Sequence, residues 1–259
     1  SALVVTSTDR RNTLIFDVKR WSVGMSYRRR IYFTSEQKSE NGIAGNGHLS
    51  VVWDGAKKTW DENLSPIKIP IFGGINGYRV FLANKNVTDR LLQVKSLDDL
   101  RAFSVGFGIG WAGEEIFNHN GFKTVHAKYS KLFKMLNGGR FDIFSRGIQE
   151  AFAEMEKYGG EYPNIFIEDS LGIYQPSFMY FYVNKNNQVL FDAIETGLTN
   201  AFADGSFKKL FLSRPEIINA FEEGKIKERK WYKIQNPFIS EDDFSRNSAY
   251  LKSIGLLNF

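Results

Sequence analysis

Apolar and polar positions alternate along this chain in two rhythms, one of strands and one of amphipathic helices. Ala2–Thr6 is a short apolar run that reads as a buried first strand. After the polar stretch Ser7–Asn12, Leu14, Ile15, Val18 and Trp21 fall on one face of a predicted helix. Strands are predicted at Ile31–Thr34, Leu49–Trp53, Ile67–Ile71 and Tyr78–Ala83, separated by glycine-punctuated turns. Ser96 should then cap a short helix, LDDL, and Phe103–Gly106 should run as a strand into GFGIGWAG and a helix over Glu114–His119.

The same two rhythms continue to the end of the chain. Thr124–Ala127, Asn164–Glu168 and Phe178–Val183 read as strands. Helices are predicted from about Gly147 to Tyr158, from about Gln188 to Asp204 and near Pro215–Glu222. The tail with Trp231, Pro237, Phe238 and the final LLNF is too apolar to stay free and should pack back on the body. Strands alternating with helices predict an α/β fold with a mainly parallel sheet.

One stretch stands out, Tyr129 to Gly147. Leu132, Phe133, Met135 and Leu136 mark an amphipathic helix, Gly138–Gly139 stop it, and Phe141–Phe144 follow as a strand. Arg146 comes just past that strand, where open α/β sheets build ligand clefts. A second feature is an echo: FLANKN over Phe81–Asn86 and FYVNKN over Phe181–Asn186, one hundred positions apart. Two strands ending alike would suit a pair of crossings between lobes.

Composition narrows the class without changing this picture. The 259 residues are 42% hydrophobic and 24% charged, which suits one large domain or two lobes and excludes disorder. The net charge of +5 is modest and the basic residues are scattered, so no nucleic-acid partner is expected. The absence of cysteine removes disulfides, thiolate metal sites and a cysteine nucleophile. No apolar run approaches the roughly 20 residues of a membrane span, and any signal peptide is expected to have been removed.

Candidate chemistry is sparse. Gly108–Gly113 (GIGWAG) satisfies G-x-G-x-x-G, but the next strand ends at Val125–His126 with no acid for a ribose. What survives is a helix N-terminus with Gly110 and Trp111 facing whatever binds. His48, His119 and His126 lack metal-ligand spacing, and neither a nucleophile elbow nor a P-loop is present. Glu114–Glu115 and Glu150/Glu154 are the kind of carboxylate pairs that helix faces carry routinely. Trp53 and Trp60 bracket DGAKKT, in which Lys57 and Lys58 offer cations beside rings. No enzyme activity, cofactor or metal is expected from these residues.

With these pieces placed, the chain resembles the type 2 periplasmic solute-binding proteins, in the extracellular family-3 group that includes amino-acid binders. The resemblance rests on Tyr129–Arg140 with Asp142, on Ser96–Leu100, on Leu190–Phe211 and on Pro66–Leu82, and it covers about Leu49 to Leu212. It implies two Rossmann-like α/β lobes joined by a two-strand hinge, with lobe 1 as 1–84 plus 184–259 and lobe 2 as 85–183. It also implies a periplasmic, monomeric receptor that passes its ligand to the permease of an ABC importer. A ligand-sensing domain of a signalling system is the alternative.

In the amino-acid binders of that group a lobe-1 arginine takes the ligand carboxylate, and an acid in lobe 2 takes the ammonium. Here the first region offers only Lys57 or Lys58, and Ser145–Arg146 stand at the second. An arginine in place of the acid argues against a standard α-amino acid. The expected ligand is therefore small and polar, an anion such as a carboxylate with an apolar part, with an amino-acid-like molecule as the other class. Arg146, Gly110, Trp111, Trp53, Trp60, Lys57 and Lys58 are expected to hold it, with Arg79 as a weaker candidate.

Overall fold

The computed structural model describes residues 2–6, 13–17, 22–25, 30–31, 51–55 and 64–256. They divide into two compact units, one of 1–74, 177–214 and 238–259, the other of 75–176 and 215–237. The first unit opens with β1 (Ala2–Thr6), β2 (Thr13–Asp17), β3 (Ser22–Met25) and β4 (Arg30–Ile31), an antiparallel meander. Leu14 and Ile15, predicted as helical, lie instead in β2 opposite Val5 and Val4. Thr13, Ile15 and Phe16 are β-branched or aromatic, and pairing with β1 outweighs a helical spacing of only four apolar positions. Val18 and Trp21 lie outside the described residues, as do all positions of the predicted strand at Ile31–Thr34 beyond Ile31.

β5 (Val51–Gly55) and β6 (Leu64–Ile67) follow, the latter three residues ahead of its predicted place. Gly73 and Gly74 close this first stretch with φ of +57° and +74°. A side chain there would be strained, and it would also collide with Ile254 and Phe211 at Gly73 or Leu251 at Gly74.

A 3-10 turn, Ile75–Gly77, begins the second unit and leads into β7 (Tyr78–Asn84). Two short helices, α1 (Thr88–Leu92) and α2 (Leu97–Arg101), precede β8 (Ser104–Gly108). Then come α3 (Ala112–His119), β9 (Lys123–Ala127), α4 (Tyr129–Asn137), β10 (Ile143–Gly147) and α5 (Ile148–Tyr158). The predicted helix–glycine–strand unit is therefore present, with Gly138 as the C-cap of α4 and Gly139 at φ +67°.

β10 starts two residues later than expected. Asp142 is drawn into bonds from the backbone N–H and hydroxyl of Ser104, at 2.8 and 2.9 Å, so the paired run ends at Gly147 and includes Arg146. β11 (Ile165–Ile167) and β12 (Leu171–Tyr174) complete the stretch, and β12 was not predicted.

The chain returns to the first unit with β13 (Met179–Asn184), α6 (Gln188–Ala203) and α7 (Ser206–Leu212). It gives α8 (Pro215–Glu222) and β14 (Lys230–Lys233) to the second unit and ends with α9 (Glu241–Ser253) in the first.

In the first unit β13 lies between β5 and β6, antiparallel to both. Ile67, Ile69, Val183, Ile194 and Leu198 form its core beneath α6. The second unit has one mixed sheet, ordered β14-β12-β7-β10-β8-β9, with β11 also on β7. β10, β8 and β9 are parallel, while β7 runs against β10 and β12. Val80, Leu82, Val105, Ile143, Leu132 and Phe133 are buried in its core. The fold is α/β, as expected, but among the described residues the parallel pairing belongs to the second unit.

The expected lobe boundaries at 84/85 and 183/184 differ from this division, in which the chain changes unit at 74/75, 176/177, 214/215 and 237/238. Asn84 belongs to the second unit and Asn184 to the first. Each accepts the N–H of the residue two positions on, at 2.9 and 2.8 Å. The Asn-Lys-Asn echo is thus one turn used twice, since asparagine oxygen mimics a backbone acceptor in such turns. Among the described residues no helix is long and apolar enough to cross a membrane.

Candidate functional site

The second unit has a topological switch point. From β8 the chain turns through α3 to β9, while from β10 it turns through α5 toward strands on the far side of β7. The loops that leave the carboxyl ends of β8 and β10 therefore diverge, and such divergence opens a crevice for a ligand. Gly110 and Trp111 stand at one lip, Arg146 and Gly147 at the other. Gly110 adopts φ +79° with open space around it. The Trp111 ring lies over Gly108, where a Cβ would strike it, and stacks on Phe144 at 6.2 Å. Gly108 and Gly113 thus serve close packing, against Trp111 and Phe107, while Gly110 supplies a positive φ, and no nucleotide is needed to explain them.

Arg146 is where the sequence placed it, but its charge is already committed. Nε and Nη2 donate to the two oxygens of Glu154, each at 2.6 Å, and Nη2 lies 2.9 Å from Glu150 Oε2. The Tyr129 hydroxyl donates to the same Glu154 carboxylate at 2.8 Å. The guanidinium carbon sits 4.8 Å from the Trp111 ring centre and 5.1 Å from that of Phe144. Burial works against its charge, yet the two glutamates hold its pKa above the ordinary arginine value. Burial and the Glu154 bond likewise push the Tyr129 phenol up.

Arg146, expected to help hold the ligand, is thus bonded to Glu154 and Glu150 within its own unit. Glu150 and Glu154 follow Arg146 at i+4 and i+8, so the spacing was in the sequence, but it was read as an ordinary helix face.

Arg79 differs. It opens β7, opposite Gly147 of β10 and Ile173 of β12, and so reaches the same sheet edge. Nη2 donates to the Ser145 carbonyl at 2.9 Å and Nε to its hydroxyl at 3.4 Å. No carboxylate forms an ion pair with it among the described residues. Burial lowers its pKa to about 10, against the opposing pull of Glu150 and Glu154.

Of the other expected residues, Trp53 lies on β5 in the first unit, its ring 5.6 Å from that of Phe72. Lys57, Lys58 and Trp60 lie outside the described residues. The first unit also holds a groove of about 490 Å³ lined by Lys68, Phe191, Glu195, Thr199, Arg246 and Tyr250 among others. Its two cations share Asp243, at 3.0 and 3.2 Å. Among the described residues no group of three or more His, Asp or Glu could hold a metal ion.

No protein-family model matches the chain, and a search of curated proteins finds no match. Solved structures do share the fold. The chain is similar to an ancestral arginine-binding protein bound to arginine, at 19% identity and a TM-score of 0.50, covering 70% of this chain and 79% of that one. It is similar also to a proposed binding component of an ABC transporter from Wolinella succinogenes DSM 1740 complexed with lysine. That identity is 14% and the TM-score 0.51, over 72% of this chain and 79% of that one. At such identities the likeness is one of fold, that of the type II periplasmic binding proteins.

Proposed function

We propose that this protein is a solute-binding receptor that captures a small amino-acid-like molecule and passes it to the permease of an ABC importer. It acts outside the cytoplasm, as a monomer, and does no chemistry on its ligand. The observation that carries the reading is the switch-point crevice of the second unit, with a ring, a helix N-terminus and a charged quartet gathered at the ends of parallel strands. The fold supports it, and the two structures of like fold contain arginine and lysine.

The quartet also bears on ligand charge. Arg79 and Arg146 contribute two positive charges and Glu150 and Glu154 two negative, a sum of zero. A bare anion gains little from a neutral surround, whereas a zwitterion can use both signs. Of the two ligand classes the sequence left open, the amino-acid-like one is therefore preferred. A thermal-shift screen of amino acids, small peptides and carboxylates tests the reading. A ligand at a hundred times its dissociation constant should stabilise the fold by about 2.7 kcal/mol. Silence across the whole set would reject a receptor for this class.

A further inference from the structure

We infer that Arg79 is the residue of the second unit that receives the ligand's carboxylate. The inference rests on the receptor reading and names the group it lacks. In the pleat of β7 and β10, Arg79 shares a face with Ser145, while Arg146 and Phe144 use the other. Both hydrogen bonds that Arg79 donates go to neutral oxygens of Ser145. Nη1 has no hydrogen bond among the described residues, and it is not among the polar atoms sealed from solvent. The fork is thus pinned along one edge and open at its tip, the arrangement that fits an incoming carboxylate.

Energetics point the same way. A half-buried guanidinium without a contacting counter-ion is costly, and Glu150 and Glu154 help it only from a distance. A ligand carboxylate would supply the missing counter-ion. The open donor fork suits a molecule that carries a carboxylate.

The test uses the full chain, with the twenty proteinogenic L-amino acids as probes in titration calorimetry. The tightest binder is then compared with its own carboxamide. Arg79→Met should weaken the acid at least a hundredfold, and Arg79→Lys about tenfold, because an ammonium cannot fork. The carboxamide should bind wild type and Arg79→Met equally weakly. Without ligand, Arg79→Met should melt no lower than wild type, an outcome that a purely structural arginine would not give. Should the acid bind Arg79→Met within twofold of wild type, or the carboxamide bind wild type as well as the acid, Arg79 is not the receptor although the protein remains one. Binding of none of the twenty would overturn the amino-acid reading itself, and this inference with it.

Discussion

Removing the Arg146 guanidinium would leave Glu150 and Glu154 without their shared cation, and Glu154 is nearly closed from water, with 13% of its side chain exposed. Breaking a buried pair from one side costs about 3–5 kcal/mol, because the surviving charge stays desolvated. Arg146→Met should therefore lower stability in urea by that order, and adding Glu154→Leu should restore much of it.

Arg79 should behave in the opposite sense. Its folded pKa, about 10, lies below the unfolded value, so the unfolded chain binds the proton more readily. Its burial cost is full below about pH 10 and is relieved as pH rises from there. The stability advantage of Arg79→Met should accordingly hold up to about pH 10 and shrink above it, and a constant difference would show that the cation is not strained. Arg146 stood out at this scale because the strand that carries it was recognisable. The Arg79–Ser145 contact was hidden, since Ser145 comes from a strand 66 positions on and no local spacing announces it.

Among the elements, α2 was read correctly because its signal is entirely local. Ser96 accepts the N–H of Asp99 at 3.2 Å, and Asp99 accepts those of Lys95 and Ser96, both at 2.9 Å. These bonds hold the Asp99 carboxyl below its usual range. Ser96→Ala should cost about 1 kcal/mol in chemical denaturation. Because Asp99 has a depressed folded pKa, its share of the cap is present at neutral pH and lost as pH falls through that value. The α4–β10 unit was legible for a similar reason, a helix stripe ended by two glycines.

β12 and β14 were missed because each has four residues and finds its partner far along the chain, as Leu171 does with Lys230. α9 was missed because EDDFSRNSAYLKS shows few apolar positions, and Asn247, a polar residue, is among the two it buries. β2 was misread because four apolar positions fit a helical face as well as a strand, and only the pairing with β1 decides between them.

For the whole molecule, the echo of two Asn-Lys-Asn turns suggested where the chain changes lobes, but the changes fall near Gly73–Gly74 and Pro176, turn residues that carry the information more directly. The excursion 215–237 had no signal in the sequence, and Arg229 is one of the contacts that fasten it, beside the pairing of β14 with β12. That side chain is fully buried and donates to the carbonyls of Gly224, Glu168 and Leu171 at 2.6, 2.6 and 2.8 Å, with Glu168 Oε2 at 3.4 Å. Glu168 in turn accepts the N–H groups of Ser170 and Leu171 at 2.9 and 2.6 Å, fixing the entry to β12.

Arg229→Ala would leave Glu168 buried without its cation and release β14 from the sheet edge, a loss of about 3–5 kcal/mol. Because β12 and β14 belong to one unit and β5, β13 and β6 to the other, the loss should be local. Hydrogen exchange should show faster exchange in 171–174 and 230–233 while 51–55 and 179–184 keep their protection. Equal loss in both sets would mean that the units unfold as one cooperative body, and that the buried arginine stabilises the whole chain.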